Sequence, residues 1–341
     1  MIGENDNHRR KNGKIIFYQY EVLQNMTYPE FIEEWLGESE DIECNTSGST
    51  GTAKRIRLPK EEVKKSAIRT LKYFGFKEGS LFYSCISPSY IGGKMMAVRA
   101  CINNGELKYE NPSNRPQLNN NGRRIDLLAV VPSQMQYLLD NLATLPPISH
   151  ILVGGSPIPP ALRKRIADSG LSAWETYGMT ETASHIALRK IDSALRPFYP
   201  LPGIKISKNK EECLEIKIEG WQTLKTNDLV EILPDGGFFI KGRKDAVIIS
   251  GGKKVNPVEI EQMLENEFGF EVLVTSEPDE KWGERIVYII EGCSEEYSLE
   301  KINTFCRTHL PPEARPKEIY CRPLPRTANG KKERKANAGG K

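Results

Sequence analysis

A loop rich in glycine and hydroxyl side chains is the first segment whose residue types suggest chemistry. Residues Thr46–Lys54 read Thr-Ser-Gly-Ser-Thr-Gly-Thr-Ala-Lys, so the run ends in an ammonium group. Exposed backbone N–H groups, hydroxyl donors and a lysine all suit phosphate oxygens. The spacing is not that of the common P-loop, because no Gly-Lys-Ser/Thr ending follows. A phosphate-binding loop and a flexible surface linker both fit this composition.

A second segment, Tyr177–Thr182, combines an aromatic ring, hydroxyls and a carboxylate in the order Tyr-Gly-Met-Thr-Glu-Thr. A tyrosine ring can stack on a base, a threonine can bind a phosphate, and Glu181 can hold Mg²⁺. The segment follows an apolar strand candidate, and loops at the carboxyl ends of parallel strands are where α/β folds bind ligands. The alternative interpretation is an ordinary turn with an exposed glutamate.

Two charged residues further along could hold a sugar. Asp228 follows Thr226-Asn227, and Arg243 lies within the run Gly-Arg-Lys-Asp that ends at Asp245. An aspartate can accept two hydrogen bonds from ribose hydroxyls, as acidic residues do in dinucleotide sites. A capping aspartate and a solvated arginine are the alternative.

Two segments near the C-terminus complete the set. Ser250–Glu261 contains the paired glycines Gly251 and Gly252, which indicate a backbone that another group approaches closely. Pro325–Arg334 is a basic run that includes Gly330-Lys331. A plain strand-to-helix turn and a solvated tail are the respective alternatives.

The elements that would position these loops alternate between buried strands and helices. Apolar runs at Ile125–Val131, His150–Val153 and Leu171–Thr176 are strand candidates, and helical periodicity predicts a helix over Pro59–Phe76. Such alternation predicts a mostly parallel sheet covered by helices.

The pattern changes near residue 203. Half-exposed strands and the turn Pro234–Gly237 predict a hairpin, and Asn256-Pro257 predicts a capped helix through Phe268. The predicted fold class is α/β, with a large N-terminal domain of mostly parallel sheets and helices and a small α+β C-terminal domain. The predicted domains are residues 1–241 and 242–341. A length of 341 residues agrees with two domains.

In this order and spacing, the segments resemble the motifs of the adenylate-forming superfamily of acyl-CoA ligases, firefly luciferases and peptide-synthetase adenylation domains. The superfamily's Tyr-Gly-x-Thr-Glu motif matches Tyr177–Glu181, its hinge motif Gly-Arg-x-Asp matches Gly242–Asp245, and its C-terminal Gly-Lys matches Gly330-Lys331. The resemblance covers residues 44 to 335. It implies that ATP or AMP binds to Thr46, Ser47, Gly48, Ser49, Thr50, Gly51, Lys54, Gly154, Gly155, Ser156, Tyr177, Gly178, Asp228 and Arg243.

The resemblance also implies a reaction and its cofactors. An acid would react with ATP to give an acyl-adenylate and diphosphate, and coenzyme A would then take the acyl group. Lys331, Thr180 and Glu181 would be catalytic, with Glu181 also the Mg²⁺ ligand. Asp245 would be the hinge of a mobile C-terminal domain that carries Lys331, and the CoA-binding residues would be Gly251 and Gly252.

Within the superfamily, the most similar family is that of the o-succinylbenzoate–CoA ligases of menaquinone biosynthesis. The residues behind this are Val131–Gln134, Gly154–Pro159, Tyr177–His185 and the run Tyr90-Ile-Gly-Gly with Arg99 after it. The expected acid is therefore an aromatic dicarboxylate, and its expected binding residues are Tyr90, Gly92, Gly93, Lys94 and Arg99. A ligase for another aromatic or fatty acid and a non-catalytic nucleotide-binding homologue are the alternatives.

Several departures from the superfamily's pattern accompany the resemblance, including Ala53 in place of proline and Asn227 in place of glycine, and two others bear more directly on the site and the domain. Tyr90 stands where many relatives have histidine, which affects the expected wall of the acyl pocket. Only 45 residues precede the phosphate loop, so the first part of the N-terminal domain is expected to be shortened.

Bulk properties exclude several other classes. The formal net charge is +3, from 48 basic and 45 acidic side chains, which argues against nucleic-acid binding. No apolar run approaches the about 18 residues needed to span a bilayer, and the polar first residues do not match a signal peptide. Seven cysteines without a CxxC pair predict reduced thiols, no zinc site and a cytoplasmic protein. The sequence gives no indication of an oligomeric state.

Overall fold

The structure is a computed structural model that describes residues 26–45, 55–221, 223–291, 299–326 and 332–334. The predicted phosphate loop Thr46–Lys54 and the predicted catalytic Lys331 lie outside the described residues. Up to Pro200 the elements are, in chain order, α1 (Tyr28–Leu36), β1 (Asp41–Asn45), β2 (Arg55–Pro59), α2 (Lys60–Phe74), β3 (Leu81–Ser84), α3 (Ile91–Ile102), β4 (Glu106–Tyr109), β5 (Ile125–Val130), α4 (Pro132–Asp140), β6 (Ile148–Val153), α5 (Pro160–Asp168), β7 (Ala173–Met179), β8 (Ser184–Lys190) and β9 (Tyr199–Pro200).

The remaining elements follow from Ile204 onwards. They are β10 (Ile204–Lys208), β11 (Cys213–Ile218), β12 (Thr223–Ile232), β13 (Phe238–Arg243), β14 (Ile248–Ser250), β15 (Lys253–Val255), α6 (Pro257–Phe268), β16 (Glu271–Asp279), β17 (Gly283–Glu291), α7 (Leu299–His309) and β18 (Glu318–Cys321). Short 3₁₀ turns occur at Leu142–Thr144, Thr180–Thr182 and Lys244–Ala246.

A seven-stranded sheet of order β4-β3-β5-β6-β7-β8-β9 organises the first part of the chain. Its first five strands in that order are parallel, and β8 and β9 add to it in antiparallel fashion. The predicted mostly parallel sheet is therefore confirmed. The continuous apolar run of β5 is buried along almost its whole length, as a strand covered on both faces requires.

The amphipathic pattern of α2 is also confirmed, because Val63, Ala67 and Leu71 are buried at helical spacing. The helix ends at Gly75, whose φ of 67° lies in the left-handed region that glycine adopts at C-caps. Strands β1 and β2 pair antiparallel, with Asn45 opposite Arg55 at the end from which the predicted phosphate loop leaves.

Two further sheets form the second part of the chain. Strands β10 to β13 form one in sequential order, and β12 and β13 are the hairpin predicted around Pro234–Gly237. The other has the order β15-β14-β17-β16, with β18 parallel to β17. Helices α6 and α7 pack on it through buried residues such as Leu264 and Ile302. The Asn256 side chain accepts a hydrogen bond from Val258 N, which confirms the predicted cap of α6.

Contact density divides the chain into two compact units. The first comprises residues 1–158, 164–204 and 218–221, and the second comprises 159–163, 205–217 and 222–341. The boundary predicted between residues 241 and 242 falls inside β13, whose pairing with β12 continues to Arg243 opposite Asp228. A separate lid that begins at residue 242 therefore stays a prediction.

Cysteine chemistry differs in part from the expectation of reduced thiols. Cys44, Cys85, Cys101, Cys213 and Cys306 are thiols, whereas Cys321 at the end of β18 is disulfide-bonded. Sequence spacing gave no sign of this bond, because only the tertiary fold can bring distant cysteines together. Among the described residues, no helix is long and apolar enough to cross a membrane.

Candidate functional site

The turn between β7 and β8 carries the Tyr-Gly-Met-Thr-Glu-Thr motif, and a glycine makes its geometry possible. A Cβ atom at Gly178 would lie 2.3 Å from Ser184 O and 2.5 Å from His185 Cα, which no real side chain permits. Tyr177 is buried and packs beside Phe198, with ring centroids 5.9 Å apart. The sequence predicted a strand ending at Thr176, but the pairing with β8 continues β7 to Met179.

The 3₁₀ turn Thr180–Thr182 contains both buried and exposed side chains. Thr180 is buried, whereas the Glu181 carboxylate is exposed and accessible to a ligand. Among the described residues, no three His, Cys, Asp or Glu side chains form a metal-binding group. Mg²⁺ commonly uses one or two carboxylates together with nucleotide phosphates, so the single carboxylate of Glu181 fits a metal that arrives with ATP.

Gly154 and Gly155 form a tight backbone corner directly after β6, where the neighbouring strand leaves no room for a side chain at Gly154. Gly154 N donates to Val130 O at 3.1 Å, and a Cβ atom at Gly154 would lie 2.3 Å from Thr176 Oγ1. Gly155 has a φ of 91°, a conformation that favours glycine. The corner follows β6, and Tyr177 lies near the end of the neighbouring parallel strand β7, so both are near carboxyl ends of strands, where α/β folds place ligands. Ser156 is half-buried next to the corner.

The start of α3 also depends on glycine. A Cβ atom at Gly93 would lie 2.4 Å from Ser87 O, so the helix can pack on the preceding loop only with glycine there. Gly92 and Tyr90, which precedes the helix, are half-buried. These two residues therefore keep part of their surface available to a ligand.

Lys94, one of the two predicted cations for the acid, is engaged elsewhere. Its Nζ atom lies 3.2 Å from Glu34 Oε2 on α1, and it sits 4.1 Å from the centroid of the Phe31 ring. Burial lowers the pKa of Lys94, and the Glu34 carboxylate opposes that effect. The ammonium already has a carboxylate partner within the chain, so the structure favours the other cation for an acid substrate.

That other cation, Arg99, is buried, and no carboxylate of the described residues pairs with it. Only 2% of the residue is exposed. Its Nη1 atom lies 3.6 Å from Met96 Sδ, its Nη2 atom lies 3.5 Å from Ser184 Oγ, and its Nε has no hydrogen-bond partner. Burial lowers the pKa of Arg99 to about 9. Within the described part of the chain no ion pair compensates this charge, which makes Arg99 a strong candidate for binding an anion.

In the second unit, the predicted ribose residues face each other across a strand pair. Asp228 on β12 is directly opposite Arg243 on β13, and Arg243 Nη1 lies 3.2 Å from Asp228 Oδ1. Asp228 is buried, and its backbone N–H donates to Thr226 Oγ1. This pair combines acceptor and donor groups suited to ribose hydroxyls.

Arg243 also holds the predicted hinge residue. Its Nε and Nη2 atoms donate to the two carboxylate oxygens of Asp245 at 2.8 and 2.7 Å, and Asn227 Nδ2 adds a contact at 3.3 Å. The Arg243 guanidinium lowers the pKa of Asp245. Next to this group, Gly242 has a φ of 149° and leaves room for the Asn256 side chain. The arginine thus links Asp228 to Asp245.

The predicted CoA-binding glycines form the turn of the β14–β15 hairpin. Gly251 and Gly252 have φ values of 58° and 77°, as a two-residue turn with both central residues left-handed requires. A Cβ atom at Gly251 would lie 2.9 Å from the Trp282 ring. Both glycines are exposed, which agrees with a backbone open to a ligand.

The chain after the predicted catalytic lysine is tied to buried glutamates. Lys332 pairs with Glu265, and Arg334 pairs with Glu261, both on α6. Arg326 and Lys332 form an antiparallel bridge on either side of the segment that contains Lys331. The basic run is therefore anchored at its described residues and is not a freely solvated tail.

Sequence reasoning used the run Tyr177–His185 for the resemblance but did not assign Ser184 or His185 to the site. Both begin β8 shortly after the recognised motif, and the buried His185 contacts Thr70 of α2. The positive φ of 95° at Ser184 is a structural signal that no sequence pattern carries.

Two family models match the chain. The AMP-binding enzyme model matches residues 44–228, and the AMP-binding enzyme C-terminal domain model matches residues 259–331. The first match alone covers more than half of the 341 residues.

Curated relatives and solved structures agree with these models. The chain is 27% identical to a 2-succinylbenzoate–CoA ligase of Listeria monocytogenes, with 96% of this chain and 76% of that protein covered. A ligase of the same name from a Geobacillus strain is 28% identical, with 84% of this chain and 66% of that protein covered. The chain therefore spans two thirds to three quarters of these two relatives.

Among solved structures, an acyl-CoA synthetase (AMP-forming)/AMP-acid ligase II-like protein from Dyadobacter fermentans is 33% identical. The TM-score is 0.59, with 89% of this chain and 90% of that chain covered. The o-succinylbenzoate CoA synthetase of Bacillus subtilis, solved with its acyl-adenylate intermediate, has a TM-score of 0.73 at 21% identity and shares the fold. The two matched family models and the 33% identity to the Dyadobacter protein show that the chain belongs to the AMP-binding enzyme family.

Proposed function

We propose that this protein is an ATP-dependent acid–CoA ligase that converts 2-succinylbenzoate into its CoA thioester through an acyl-adenylate. The observation that carries the choice of acid is the buried Arg99, which has no carboxylate partner among the described residues. The names of the relatives from Listeria and Geobacillus support the same substrate. A cytoplasmic location and the absence of nucleic-acid partners remain predictions.

The first step joins two anions, so its main obstacle is charge repulsion. The substrate carboxylate attacks the α-phosphorus of ATP, the bond to the bridging oxygen breaks, and diphosphate leaves. Catalysis of such a step needs positive charge and fixed donors more than it needs a general base. Lys331 would lie between carboxylate and α-phosphate, and the Thr46–Lys54 loop and Thr180 would hold phosphate oxygens. Mg²⁺ held by Glu181 would supply additional positive charge.

Four predicted residues would hold the nucleoside. Tyr177 and the corner at Gly154 would contact the adenine, and Asp228 and Arg243 would bind the ribose hydroxyls. Arg243 already donates to Asp228 and to Asp245, so ribose binding would redistribute these hydrogen bonds. This would connect nucleotide binding to the predicted hinge.

The second step transfers the acyl group to sulfur. The CoA thiol attacks the acyl carbon, and AMP leaves with the electron pair of the broken acyl–oxygen bond. Gly251 and Gly252 would line the path of the pantetheine, because their exposed turn has no side chains to block it. Between the two steps, a rotation at Asp245 would move Lys331 away from the reacting groups and bring the Gly251-Gly252 turn to them. A hinge concentrates such a backbone change at few residues.

The non-reacting carboxylate of the acid identifies the substrate class. A guanidinium offers a planar fork that suits a carboxylate, and in a buried site a charged hydrogen bond is stronger than in water. Arg99 would therefore bind the ring carboxylate while the succinyl carboxylate reacts. A fatty acid or a simple aromatic acid would leave the guanidinium buried without compensation.

The overall reaction is tested by product analysis with a panel of acids, with and without CoA. Protein supplied with ATP, Mg²⁺, 2-succinylbenzoate and CoA should release AMP, diphosphate and the thioester. Release of ADP and phosphate would contradict adenylation. Faster turnover of a monocarboxylic acid would contradict the choice of substrate while it leaves the reaction type intact.

Lys331→Ala separates the half-reactions. Adenylation should slow by about 10²–10³-fold, the usual cost of losing one preorganised charge-stabilising group. The same variant, given pre-formed acyl-adenylate, should make thioester at close to the normal rate. Single-turnover kinetics measure both steps, and Lys210→Ala, which removes an exposed lysine, is the matched control. Equal damage to both steps would contradict the assigned role of Lys331.

A further inference from the structure

We propose that Ser184 binds the ring carboxylate together with Arg99, and that His185 and Thr70 act as positioning residues that hold the Ser184 hydroxyl for this purpose. The inference rests on the proposed function and deepens it. It assigns selectivity for a dicarboxylate to a chain of four side chains from α2, α3 and β8.

The contacts run continuously from Arg99 to Thr70. Arg99 Nη2 lies 3.5 Å from Ser184 Oγ, and Ser184 Oγ lies 3.5 Å from His185 Nδ1. On the other side of the ring, His185 Nε2 lies 3.0 Å from Thr70 Oγ1. Arg99, His185 and Thr70 are all buried, so bulk water does not compete for these groups. The two contacts of Ser184 are long, which leaves its hydroxyl capacity for a stronger partner.

The backbone of Ser184 is strained, and its surroundings keep it so. Its φ of 95° is rare for a residue with a side chain. Thr182 Oγ1 lies 2.6 Å from Ser184 O, and Ser66 Oγ donates to Ala183 O at 2.7 Å. Gly178 allows the strand to approach Ser184 O closely. Strain that neighbouring groups hold in place is typical of functional sites, and here it directs the hydroxyl towards Arg99.

The protonation state of His185 determines whether Ser184 Oγ accepts or donates the hydrogen bond between the two side chains. Burial, together with the charges of Arg99 and Arg69, lowers the pKa of His185 well below its usual range, so the ring is neutral. A neutral imidazole donates from one nitrogen and accepts at the other. The Thr70 hydroxyl has two acceptors in reach, Ser66 O at 3.4 Å and His185 Nε2 at 3.0 Å. In the tautomer in which Thr70 donates to the nearer Nε2, Nδ1–H donates to Ser184 Oγ.

This arrangement leaves one use for the serine proton. Ser184 Oγ accepts from His185 on one side and from Arg99 on the other, and a hydroxyl has two acceptor lone pairs. Its O–H is then free to donate, and a carboxylate is the acceptor that Arg99 attracts to this point. The ring carboxylate would receive one hydrogen bond from Ser184 and the charge of Arg99.

The experiment compares two acids that differ only at the ring carboxylate, 2-succinylbenzoate and 4-oxo-4-phenylbutanoate. The measured quantity is the ratio of their kcat/KM values in diphosphate release. Ser184→Ala should lower this ratio by at least about tenfold, because a hydrogen bond to a charged group is lost. Thr70→Val should lower it by about fivefold, because a neutral hydrogen bond is lost and the imidazole is no longer held in one tautomer.

Thr70→Ser is the matched control, because it keeps the hydroxyl and should restore the wild-type ratio. If Thr70→Val lowers kcat/KM equally for both acids, Thr70 has only a structural role and the proposal is wrong. If Arg99→Ala removes the preference but Ser184→Ala keeps it, this inference fails while the proposed substrate stands. A wild-type enzyme without preference for the dicarboxylate would overturn both.

Discussion

Two arginines of this protein meet opposite electrostatic conditions. Arg99 in the first unit is almost fully buried and has no carboxylate partner within the described residues. Arg243 in the second unit has a side chain that is 41% exposed and pairs with both Asp228 and Asp245. The first guanidinium lacks an anion, whereas the second has two.

These opposite surroundings determine how each arginine would bind its ligand. An anion that reaches Arg99 would compensate a charge that burial has removed from water. It would displace no carboxylate of the described residues, so the full charged interaction would contribute to binding. A ribose that reaches Arg243 must share donors that already have partners, so little net affinity follows from that contact. Arg99 is thus suited to selectivity, and Arg243 is suited to coupling between ligand and hinge.

The variant Arg99→Met should have the largest effect. It replaces the buried guanidinium with an unbranched apolar side chain. The preference for the dicarboxylic acid should fall by about 10- to 150-fold, from a loss of about 1.5–3 kcal/mol. The free energy of unfolding should rise by about 1–4 kcal/mol, because a buried charge is removed. Kinetics with both acids and denaturant unfolding measure the two effects.

A variant that loses both selectivity and stability would show that Arg99 is paired in solution. In that case its contrast with Arg243 would not hold. Thermal shift with 2-succinylbenzoate provides the control, since the acid should stabilise the wild type and leave Arg99→Met unchanged.

Lys94→Met tests the neighbouring cation on the same helix. Lys94 is 1% exposed and pairs with Glu34, so its loss leaves that partly buried carboxylate without its cation, although Glu43 N still donates a hydrogen bond to it. The free energy of unfolding should fall by about 1–3 kcal/mol, the cost of one unsatisfied buried group. The preference for the dicarboxylic acid should not change. A fall in that preference would show that Lys94 contributes to binding the acid.

The smallest expected effect is that of Asp245→Asn on stability. Both side chains of the Arg243–Asp245 pair are about 40% exposed, so the loss should stay below about 1 kcal/mol. The pKa of Asp245 is lowered in the folded state, so the pair stabilises the protein above the usual aspartate pKa. That contribution is lost as the pH falls through the lowered pKa.

Unfolding of the wild type and Asp245→Asn at neutral and acidic pH measures this difference. The gap between the two proteins should close at acidic pH, where the wild-type carboxylate becomes protonated. A gap that is constant over the whole pH range would mean that the ion pair contributes nothing in solution.

Local sequence patterns were sufficient to predict the family and much of the fold. Apolar runs predicted the parallel strands, the Asn256-Pro257 pair predicted the start of α6, and the motif order predicted the family. These features are local, because a strand, a cap or a glycine corner depends on neighbouring residues in the chain. The roles of Lys331 and of the loop Thr46–Lys54 still stand as predictions.

Only the tertiary structure distinguished Lys94 from Arg99. The two lie five positions apart on one helix, yet α1 brings Glu34 to the first, while the second contacts Ser184 and no carboxylate of the described residues. Thr70, Arg99, Ser184 and His185 form a chain of contacts because α2, α3 and β8 pack together, and no spacing in the sequence reports such packing. Whether a buried charge has a partner depends on long-range contacts, and these form only when the chain folds.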